Sequence, residues 1–360
     1  MRISLLTNGP GELWDWARPM IMELRKRGHS ISLWLLPCPY ASGSERRVAS
    51  GLGVDKLEGP LSGPRIWSAL GQEKTDCVLQ LGGDLMFGRH IAKRAQVPLF
   101  CYAYGPKKGM EDARCFTAWP RTAMNMPGAR VIGDLVRDAL ALDTGTTSWG
   151  QTGEHRLLLF PGSRPAIRRL SLAWLSTIAA QVRALIPDLE VGTLFSPFVR
   201  DDELPMWSDA GLNPLRVGAG VAMRVADYAL TQPGTNTLEM MYCGLPALVA
   251  APADFLKAVP LSGLVGFLSS LPLIGVTLRR WGLLRHIARN SGFLALPNRL
   301  AGRMIMDEMY GDLTPQALAE SIAASLRDAD KRARLSGELL ALPGEGEAAS
   351  RLADAMEAAV

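Results

Sequence analysis

The chain has 360 residues, more than one hydrophobic core usually organises, so two domains of ordinary size are expected. Hydrophobic residues make up 48% of it, enough to fill both cores, and the net charge of +4 is too small to indicate a nucleic-acid-binding protein. Five widely spaced cysteines and four histidines without metal-ligand spacing predict reduced thiols, a cytoplasmic protein and no metal site.

The first third of the chain alternates short apolar runs with amphipathic stretches. Apolar runs predict strands at residues 2–7, 31–36, 76–81 and 98–103, and a last strand that begins at residue 131. Helical spacing of the apolar residues predicts helices at residues 13–27, 86–95 and 135–142. Such alternation is typical of a parallel sheet covered by helices on both faces. We therefore expect a Rossmann-like domain over residues 1–145.

Two loops that follow strands of this first domain carry polar groups. Gly11 and Glu12 come after the first strand, with Trp14 and Trp16 close behind, and Asp84 follows the strand at 76–81. Because ligands of parallel sheets bind at the carboxyl ends of the strands, both loops are candidate binding sites. The simpler alternative for Asp84 is that its side chain caps the helix that follows.

The second half of the chain repeats the alternation after a predicted linker. Residues 143–154 are rich in Thr, Ser and Gly and are predicted to be a linker. Predicted strands follow at residues 156–160, 190–195, 226–231 and 247–250, with a helix at 166–185. This pattern predicts a second Rossmann-like domain over residues 155–340. From residue 314 onward the composition predicts helices, with breaks near Gly337 and at residues 343–344.

The short stretch 230–252 contains a predicted strand, a turn, a helix start and another strand. A Pro-Gly pair breaks the first strand, and residues 235–242 favour a helix. The N–H groups and dipole of a helix start, together with the hydroxyls of Thr235 and Thr237, favour a phosphate. Glu239 could accept hydrogen bonds from the hydroxyls of a ribose. The stretch therefore predicts a nucleotide diphosphate site, whereas the alternative is an ordinary strand-to-helix turn.

Three motifs follow one another in this second half. They are Pro-Gly-Ser-Arg at residues 161–164, Gly-Thr-Asn-Thr-Leu-Glu at 234–239 and Leu-Pro-Asn-Arg-Leu-Ala-Gly-Arg at 296–303. In this order and at this spacing they resemble the lipid-A-disaccharide synthase family, which are glycosyltransferases of the GT-B fold. The resemblance covers roughly residues 131–324, and the first third of the chain diverges from it.

The resemblance implies an α/β fold of the GT-B class, in which two doubly wound Rossmann-like domains face across a cleft and a last helix, at 341–360, crosses back to the first domain. It implies a metal-independent, inverting transfer of an acylated glucosamine from UDP to a lipid acceptor at the cytoplasmic face of the inner membrane, with no cofactor. The implied UDP-sugar-binding residues are Gly162, Ser163, Arg164, Gly234, Thr235, Asn236, Thr237, Glu239 and Asn298. The candidate acceptor-binding residues are Gly11, Glu12 and Trp14, and the candidate catalytic base is Asp84.

The chain departs from the family in both loops of the first domain. The family has two aspartates near Asp84 where this chain has one, and small residues where this chain has Trp14 and Trp16. Three alternatives therefore stay open. They are another lipid glycosyltransferase, acting on diacylglycerol or an undecaprenyl-linked acceptor, a UDP-sugar 2-epimerase, and a membrane-associated nucleotide-sugar-binding protein without catalysis.

Residues 258–278 carry no charge and precede arginines at positions 279, 280, 285 and 289. The run is long enough to span a bilayer, but the strand before it and the motif after it must return to one domain. Prolines and glycines also break it into short pieces. We therefore predict an insertion at 255–290 that attaches the protein to the membrane surface. An inward-packed hairpin or an oligomer contact, such as a homodimer, is the alternative.

Overall fold

The computed structural model of the protein describes residues 1–39, 41–60, 64–253, 255 and 292–360. These residues form two compact units: unit 1 comprises Met1–Leu142 and Pro343–Val360, and unit 2 comprises Asp143–Leu342. Each unit contains a parallel sheet with helices between its strands, so the predicted doubly wound α/β architecture is confirmed. The predicted insertion at 255–290 lies outside the described residues, apart from Phe255.

Unit 1 alternates strands and helices along the chain. Its strands are β1 (Arg2–Thr7), β2 (Ser30–Leu35), β3 (Lys56–Glu58), β4 (Cys77–Leu81), β5 (Leu99–Tyr102), β6 (Arg114–Thr117) and β7 (Arg130–Val131). Its helices are α1 (Arg18–Lys26), α2 (Glu45–Ala49), α3 (Pro64–Leu70), α4 (Met86–Ala95), α5 (Pro120–Ala123) and α6 (Leu135–Ala141). In the described part these strands form one sheet in the order β3-β2-β1-β4-β5-β6-β7. The winding reverses between β1 and β4, which is where doubly wound sheets bind ligands.

The start of unit 1 differs from the prediction. A π-helical turn, Glu12–Ala17, leads directly into α1, so the helix predicted at residues 13–27 begins with π-helical geometry. Strands β3 and β6 were not predicted, because each is short and begins with an exposed charged residue, Lys56 or Arg114. The core strands, in contrast, are buried and mostly apolar: all five residues of β4 are buried, and four of them are apolar.

Unit 2 has the same plan. Its strands are β8 (His155–Leu159), β9 (Leu189–Leu194), β10 (Pro214–Leu215), β11 (Tyr228–Thr231), β12 (Ala247–Pro252) and β13 (Asp307–Gly311). Its helices are α7 (Pro165–Leu185), α8 (Leu204–Asp209), α9 (Ala219–Val225), α10 (Asn236–Cys243), α11 (Leu296–Ala301), α12 (Pro315–Arg327) and α13 (Ala329–Leu340). Among the described residues the sheet order is β10-β9-β8-β11-β12-β13, so the winding reverses between β8 and β11.

The core of unit 2 lies between its sheet and the helices α7 and α12. Buried Leu175, Ile178 and Val182 on α7 pack with Leu318 and Ile322 on α12 over the apolar strands. Both helices begin with a proline in the first turn, where the missing N–H costs nothing. The long α7 therefore has a fixed start directly after β8, and this start positions the first motif turn.

The linker predicted at 143–154 is held against unit 2. The Glu190 carboxylate accepts hydrogen bonds from the backbone N–H groups of Gly150, Thr152 and Gly153, at 2.8, 3.3 and 3.3 Å. Trp149 is buried beside β9. The segment therefore belongs to unit 2 from Asp143 onward.

The C-terminal helices differ from the prediction at one point. The helical run breaks at Asp328, whose side chain caps α13, and Gly337 lies inside that helix instead of ending it. A last helix, α14 (Ala348–Glu357), belongs to unit 1, where Arg27 donates hydrogen bonds to Asp354 at 2.6 Å and Glu357 at 3.0 Å. None of the helices described here is both long and apolar enough to cross a membrane.

Candidate functional site

Two of the three motif turns lie side by side in unit 2. Leu159 at the end of β8 is in register with Leu230 of β11, and the Phe160 N–H donates to the Leu230 carbonyl at 3.0 Å. The Pro-Gly-Ser-Arg turn follows β8 and the Pro-Gly-Thr-Asn turn follows β11, so both are at the carboxyl edge where the winding reverses. This is the position at which a doubly wound sheet binds a ligand.

The first turn requires glycine at position 162. Gly162 has φ +88°, and a Cβ there would be 2.6 Å from Cγ2 of Ile167 and 3.1 Å from Oε1 of Gln232. Ile167 is in the first turn of α7 and Gln232 follows β11. The glycine thus lets the turn approach both the helix behind it and the neighbouring strand.

A buried arginine that the sequence reasoning missed holds this turn in place. Arg168 is 3% exposed; its Nη1 donates to the Ser163 carbonyl at 2.6 Å, and Nε and Nη2 donate to the two carboxylate oxygens of Glu203 at 2.9 and 2.8 Å. Ser171 Oγ donates to the Pro161 carbonyl at 2.8 Å. The signal was present in the sequence as a second arginine one helical turn after Arg164, on the face that α7 buries.

The residues of the first turn that are predicted to bind the UDP-sugar remain partly accessible to solvent. Ser163 is exposed, and Arg164 is half-buried with extended backbone directly before α7. The N-terminus of that long helix therefore lies directly behind the turn. Its dipole and the Arg164 guanidinium both favour an anion at this point.

The second turn uses several of its predicted ligand groups for its own structure. Thr237 is fully buried and its hydroxyl donates to the Gly234 carbonyl at 2.8 Å, while Asn236 Nδ2 donates to Thr231 Oγ1 at 2.5 Å. These two groups therefore take part in the structure of the turn, and their contact with the UDP-sugar stays a prediction. Thr235, in contrast, makes no side-chain capping bond and is half-exposed at the helix start.

Helix α10 begins at Asn236, within one residue of the predicted start. It ends at Gly244, which has the left-handed conformation, with φ 65°, that such a C-terminus favours. Glu239 is half-buried in its first turn, and its N–H donates to the Thr235 carbonyl. Its contact with a ribose stays a prediction.

Asn298 of the third motif is a structural residue. It is fully buried; its Nδ2 donates to the Met306 carbonyl at 2.8 Å and to Glu308 Oε1 at 2.7 Å, and its Oδ1 accepts from the N–H groups of Ile305 and Met306. All four hydrogen-bonding positions of the amide are thus occupied. The amide therefore holds α11 against β13, and contact of Asn298 with the UDP-sugar stays a prediction.

Unit 1 brings its two candidate loops together at β1 and β4. The Glu12 side chain lies close to a glycine of each loop: a Cβ on Gly9 would be 2.6 Å from Glu12 Oε2, and one on Gly82 would be 2.7 Å from Glu12 Cγ. Asp84 is exposed, and its Oδ1 accepts from the Met86 N–H at 2.9 Å. Gly11 already has helical backbone, with φ −64° and ψ −50°.

The two tryptophans of the first loop have different environments. Trp14 is half-buried, and the Arg18 guanidinium carbon is 4.0 Å from its ring centroid. Trp16 is buried and packs edge-on against Tyr102 and Tyr104, and its Nε1 donates to the Tyr104 hydroxyl at 3.2 Å. Trp16 is therefore part of the core of unit 1, whereas Trp14 remains a candidate acceptor-binding residue.

The next two observations concern the state of the cysteine thiols and the grouping of possible metal ligands. All five cysteines are free thiols, and burial raises the pKa of Cys77 and of Cys243 to about 12. Within residues 1–39, 41–60, 64–253, 255 and 292–360, no three His, Cys, Asp or Glu side chains are grouped so that they could hold a metal ion.

Solved structures define the class of this protein. A putative UDP-N-acetylglucosamine 2-epimerase from Listeria monocytogenes matches 99% of this chain and 96% of its own with a TM-score of 0.60 at 13% identity. MurG from Acinetobacter baumannii matches 99% of this chain and all of its own, with a TM-score of 0.53 at 13% identity. At such low identity the likeness concerns the fold, and the fold is a two-domain α/β fold of the GT-B class.

Sequence comparison then points to one family within the GT-B fold class. The family model described as lipid-A-disaccharide synthetase (LpxB) matches residues 129–265, which include both turns of unit 2. The lipid-A-disaccharide synthase of Pectobacterium carotovorum is 29% identical over 223 residues, or 59% of this chain and 51% of that protein. The enzyme of the same name from Burkholderia thailandensis is 30% identical over 182 residues, or 48% and 41% of the two chains. The chain thus spans about half the length of these relatives, and the resemblance to the lipid-A-disaccharide synthase family is confirmed.

Proposed function

We propose that the protein is a metal-independent, inverting glycosyltransferase that moves an acylated glucosamine from UDP to a lipid acceptor, as a lipid-A-disaccharide synthase does. One observation carries the proposal: the two glycine turns of unit 2 lie at the carboxyl ends of adjacent strands, β8 and β11. Both turns fall within the stretch that matches the family model.

The proposed chemistry is the departure of a diphosphate from the anomeric carbon of the sugar. Negative charge grows on the leaving oxygen in the transition state, so groups that are already fixed in place lower the barrier most. The backbone N–H groups at the starts of α7 and α10 are such groups, and the Arg164 and Thr235 side chains lie beside them. Arg168 contributes by holding the Ser163 carbonyl, which fixes the turn that presents them.

Glu239 is assigned to the ribose of the UDP, because it lies in the first turn of α10 beside the proposed phosphate site. The Glu239→Ala variant should bind UDP more weakly by about 1–3 kcal/mol, since the ribose hydroxyls lose their acceptor. Isothermal titration calorimetry with UDP measures this change. The matched control is Glu320→Ala, an exposed position on α12 of the same unit; equal affinities of the two variants would contradict the assignment.

Metal independence has a direct test. Turnover should survive an excess of EDTA, because the arginine and the helix N–H groups take the place of a divalent cation. The measurement is UDP release from UDP carrying an acylated glucosamine, with a total membrane lipid extract as the acceptor pool. Loss of activity in EDTA that magnesium restores would refute this part of the proposal.

The lipid acceptor and attachment to the membrane surface rest on the apolar sequence at 258–278 and the arginines after it. Replacing residues 258–281 with a short Gly-Ser loop should move the protein from the membrane fraction to the soluble fraction. UDP affinity should be retained, because the residues assigned to UDP lie outside the replaced segment. If the shortened protein still sediments with membranes, this segment is not the attachment site.

Lipid analysis separates the proposal from its alternatives. Cells that lack the protein should accumulate a monosaccharide lipid in mass spectra if it is a lipid-A-disaccharide synthase. Unchanged lipids with altered soluble UDP-sugars would favour a UDP-sugar 2-epimerase. A change in diacylglycerol or undecaprenyl glycolipids would favour another lipid glycosyltransferase, and UDP binding without any turnover would favour a binding protein.

A further inference from the structure

Gln232 places a carboxamide between the two glycine turns of unit 2. The residue directly follows β11, and its Oε1 lies 3.1 Å from the position that a Cβ on Gly162 would take. Gly162 is in the turn after β8, the strand that pairs with β11. A side chain that belongs to the second turn therefore lies against the first turn, at the edge of the sheet where the winding reverses.

The backbone that carries this side chain is fixed by the turn itself. Thr231 Oγ1 donates to the Gln232 carbonyl at 3.2 Å, and it accepts a hydrogen bond from Asn236 Nδ2 at 2.5 Å. Pro233 comes next, and the ring of a proline holds the residue before it away from helical backbone. Only the side-chain torsions of Gln232 therefore have to be fixed when a ligand binds, which keeps the entropic cost of that binding low.

The carboxamide of Gln232 is accessible and is not used by the turn. The residue is half-buried, and among the residues that the structure describes neither Oε1 nor Nε2 takes part in a hydrogen bond. Both atoms also reach solvent, since neither belongs to the sealed polar atoms without a partner. The amide nitrogens of Asn236 and Asn298, in contrast, donate to acceptors within the protein. Gln232 thus brings an available amide to the proposed phosphate site.

The surroundings of this amide indicate which ligand group it meets. The starts of α7 and α10 follow the two turns, and their N–H groups and dipoles favour an anion. A carboxamide adds two N–H donors without adding charge. We infer that Gln232 is a UDP-sugar-binding residue whose Nε2 donates a hydrogen bond to the diphosphate; this rests on the proposed glycosyltransferase function. The contact lies wholly within unit 2.

Two substitutions at position 232 test the contact by calorimetry with UDP. Gln232→Ala removes the hydrogen bond and should raise the Kd by about 10- to 100-fold, the usual loss for a bond to a charged group. Gln232→Glu keeps the shape but replaces the N–H donors with a carboxylate that repels the diphosphate, so its Kd should be higher still. The matched control Gln316→Glu adds the same charge at an exposed position on α12 and should bind UDP as the wild-type chain does.

A second ligand and a stability measurement distinguish the diphosphate contact from other roles of Gln232. UDP-N-acetylglucosamine should lose affinity for Gln232→Ala by the same factor as UDP, because the two ligands share the diphosphate. A loss with UDP-N-acetylglucosamine alone would move the contact to the sugar and overturn the inference. The free energy of unfolding from urea titration should be equal in the wild-type chain and both variants. A lower value together with weaker binding would make Gln232 a structural residue of the turn.

The remaining outcomes separate this inference from the proposed function. If Gln232→Glu binds UDP as tightly as the wild-type chain while Gln232→Ala binds it more weakly, the carboxamide accepts a hydrogen bond through Oε1 and the diphosphate is not its partner. If both variants bind UDP with unchanged affinity, the role of Gln232 is refuted and the proposed function stands. If the wild-type chain itself binds no UDP, the proposed function fails and the inference falls with it.

Discussion

The glycine at position 162 allows the sharpest test of the donor site. Replacing it with alanine has two separate costs that the structure specifies. The residue must keep φ near +88°, which costs an L-residue about 1–2 kcal/mol. The new methyl carbon would also be 2.6 Å from Ile167 Cγ2, and such overpacking costs about 1–3 kcal/mol. The free energy of unfolding should therefore fall by about 2–5 kcal/mol.

A matched glycine separates the two costs. Gly211 of the same unit has φ +70°, and the nearest atom to a Cβ there is Arg183 Nη1 at 3.8 Å, which is an ordinary contact. Gly211→Ala should therefore show the conformational cost alone, about 1–2 kcal/mol. Urea titration of both variants gives the two free energies of unfolding.

The same variant tests the functional argument. Because the turn presents Arg164 and the start of α7, Gly162→Ala should weaken UDP binding, whereas Gly211→Ala should leave it unchanged. The double variant with Ile167→Ala should recover part of the overpacking cost, seen as a coupling free energy in the double-mutant cycle. If Gly162→Ala is no more destabilising than Gly211→Ala and binds UDP normally, the close approach of turn, helix and strand is not what requires the glycine.

Three further predictions concern the support of unit 2. Burial alone would raise the pKa of Glu190, but the backbone hydrogen bonds from residues 150–153 hold that pKa below its ordinary value. The ionised carboxylate therefore stabilises the folded chain above pH 4–5, and this stabilisation is lost as the pH falls further. In urea titrations Glu190→Gln should therefore cost about 1–3 kcal/mol at pH 7 and less at pH 3; an equal cost at both would contradict this. Arg168→Ala should cost about 3–5 kcal/mol, because it leaves Glu203 partly buried without its partner; a thermal unfolding temperature equal to that of the wild type would exclude it. The pKa of about 12 for Cys243 predicts slow alkylation by iodoacetamide at pH 8 in the native protein and fast alkylation in urea, measured by mass spectrometry.

The sequence was sufficient for the architecture because the core strands are short apolar runs between strong helix signals. Glycines mark where α10 ends, and a Pro-Gly pair marks the turn before it, so the elements around that helix were predicted within one or two residues. The short strand β6 has only four residues and its first is an exposed arginine, so its pairing with β5 has no local signal. Such strands depend on the neighbour that they pair with.

The structure divides the predicted site residues into two groups that the sequence motifs alone do not distinguish. A motif position can be constant because it contacts a ligand or because it holds the loop that does so. Thr237 and Asn298 make contacts of the second kind, since both are fully buried and donate to backbone carbonyls, those of Gly234 and Met306. Arg168 has the same function but is outside the motif, and its importance depends on Glu203, which is far from it in sequence. Only three-dimensional contacts distinguish these cases.

The return of α14 to unit 1 has a consequence for how the chain matures during synthesis. Unit 2 is one continuous segment, whereas unit 1 needs residues from both ends of the chain. Arg27 and His29 near α1 acquire their partners only after Asp354 and Glu357 have been made. Domains usually mature in the order in which they leave the ribosome. In this protein unit 1 is therefore completed after unit 2, and synthesis that stops just before residue 343 gives a chain with a finished second unit and an unfinished first one.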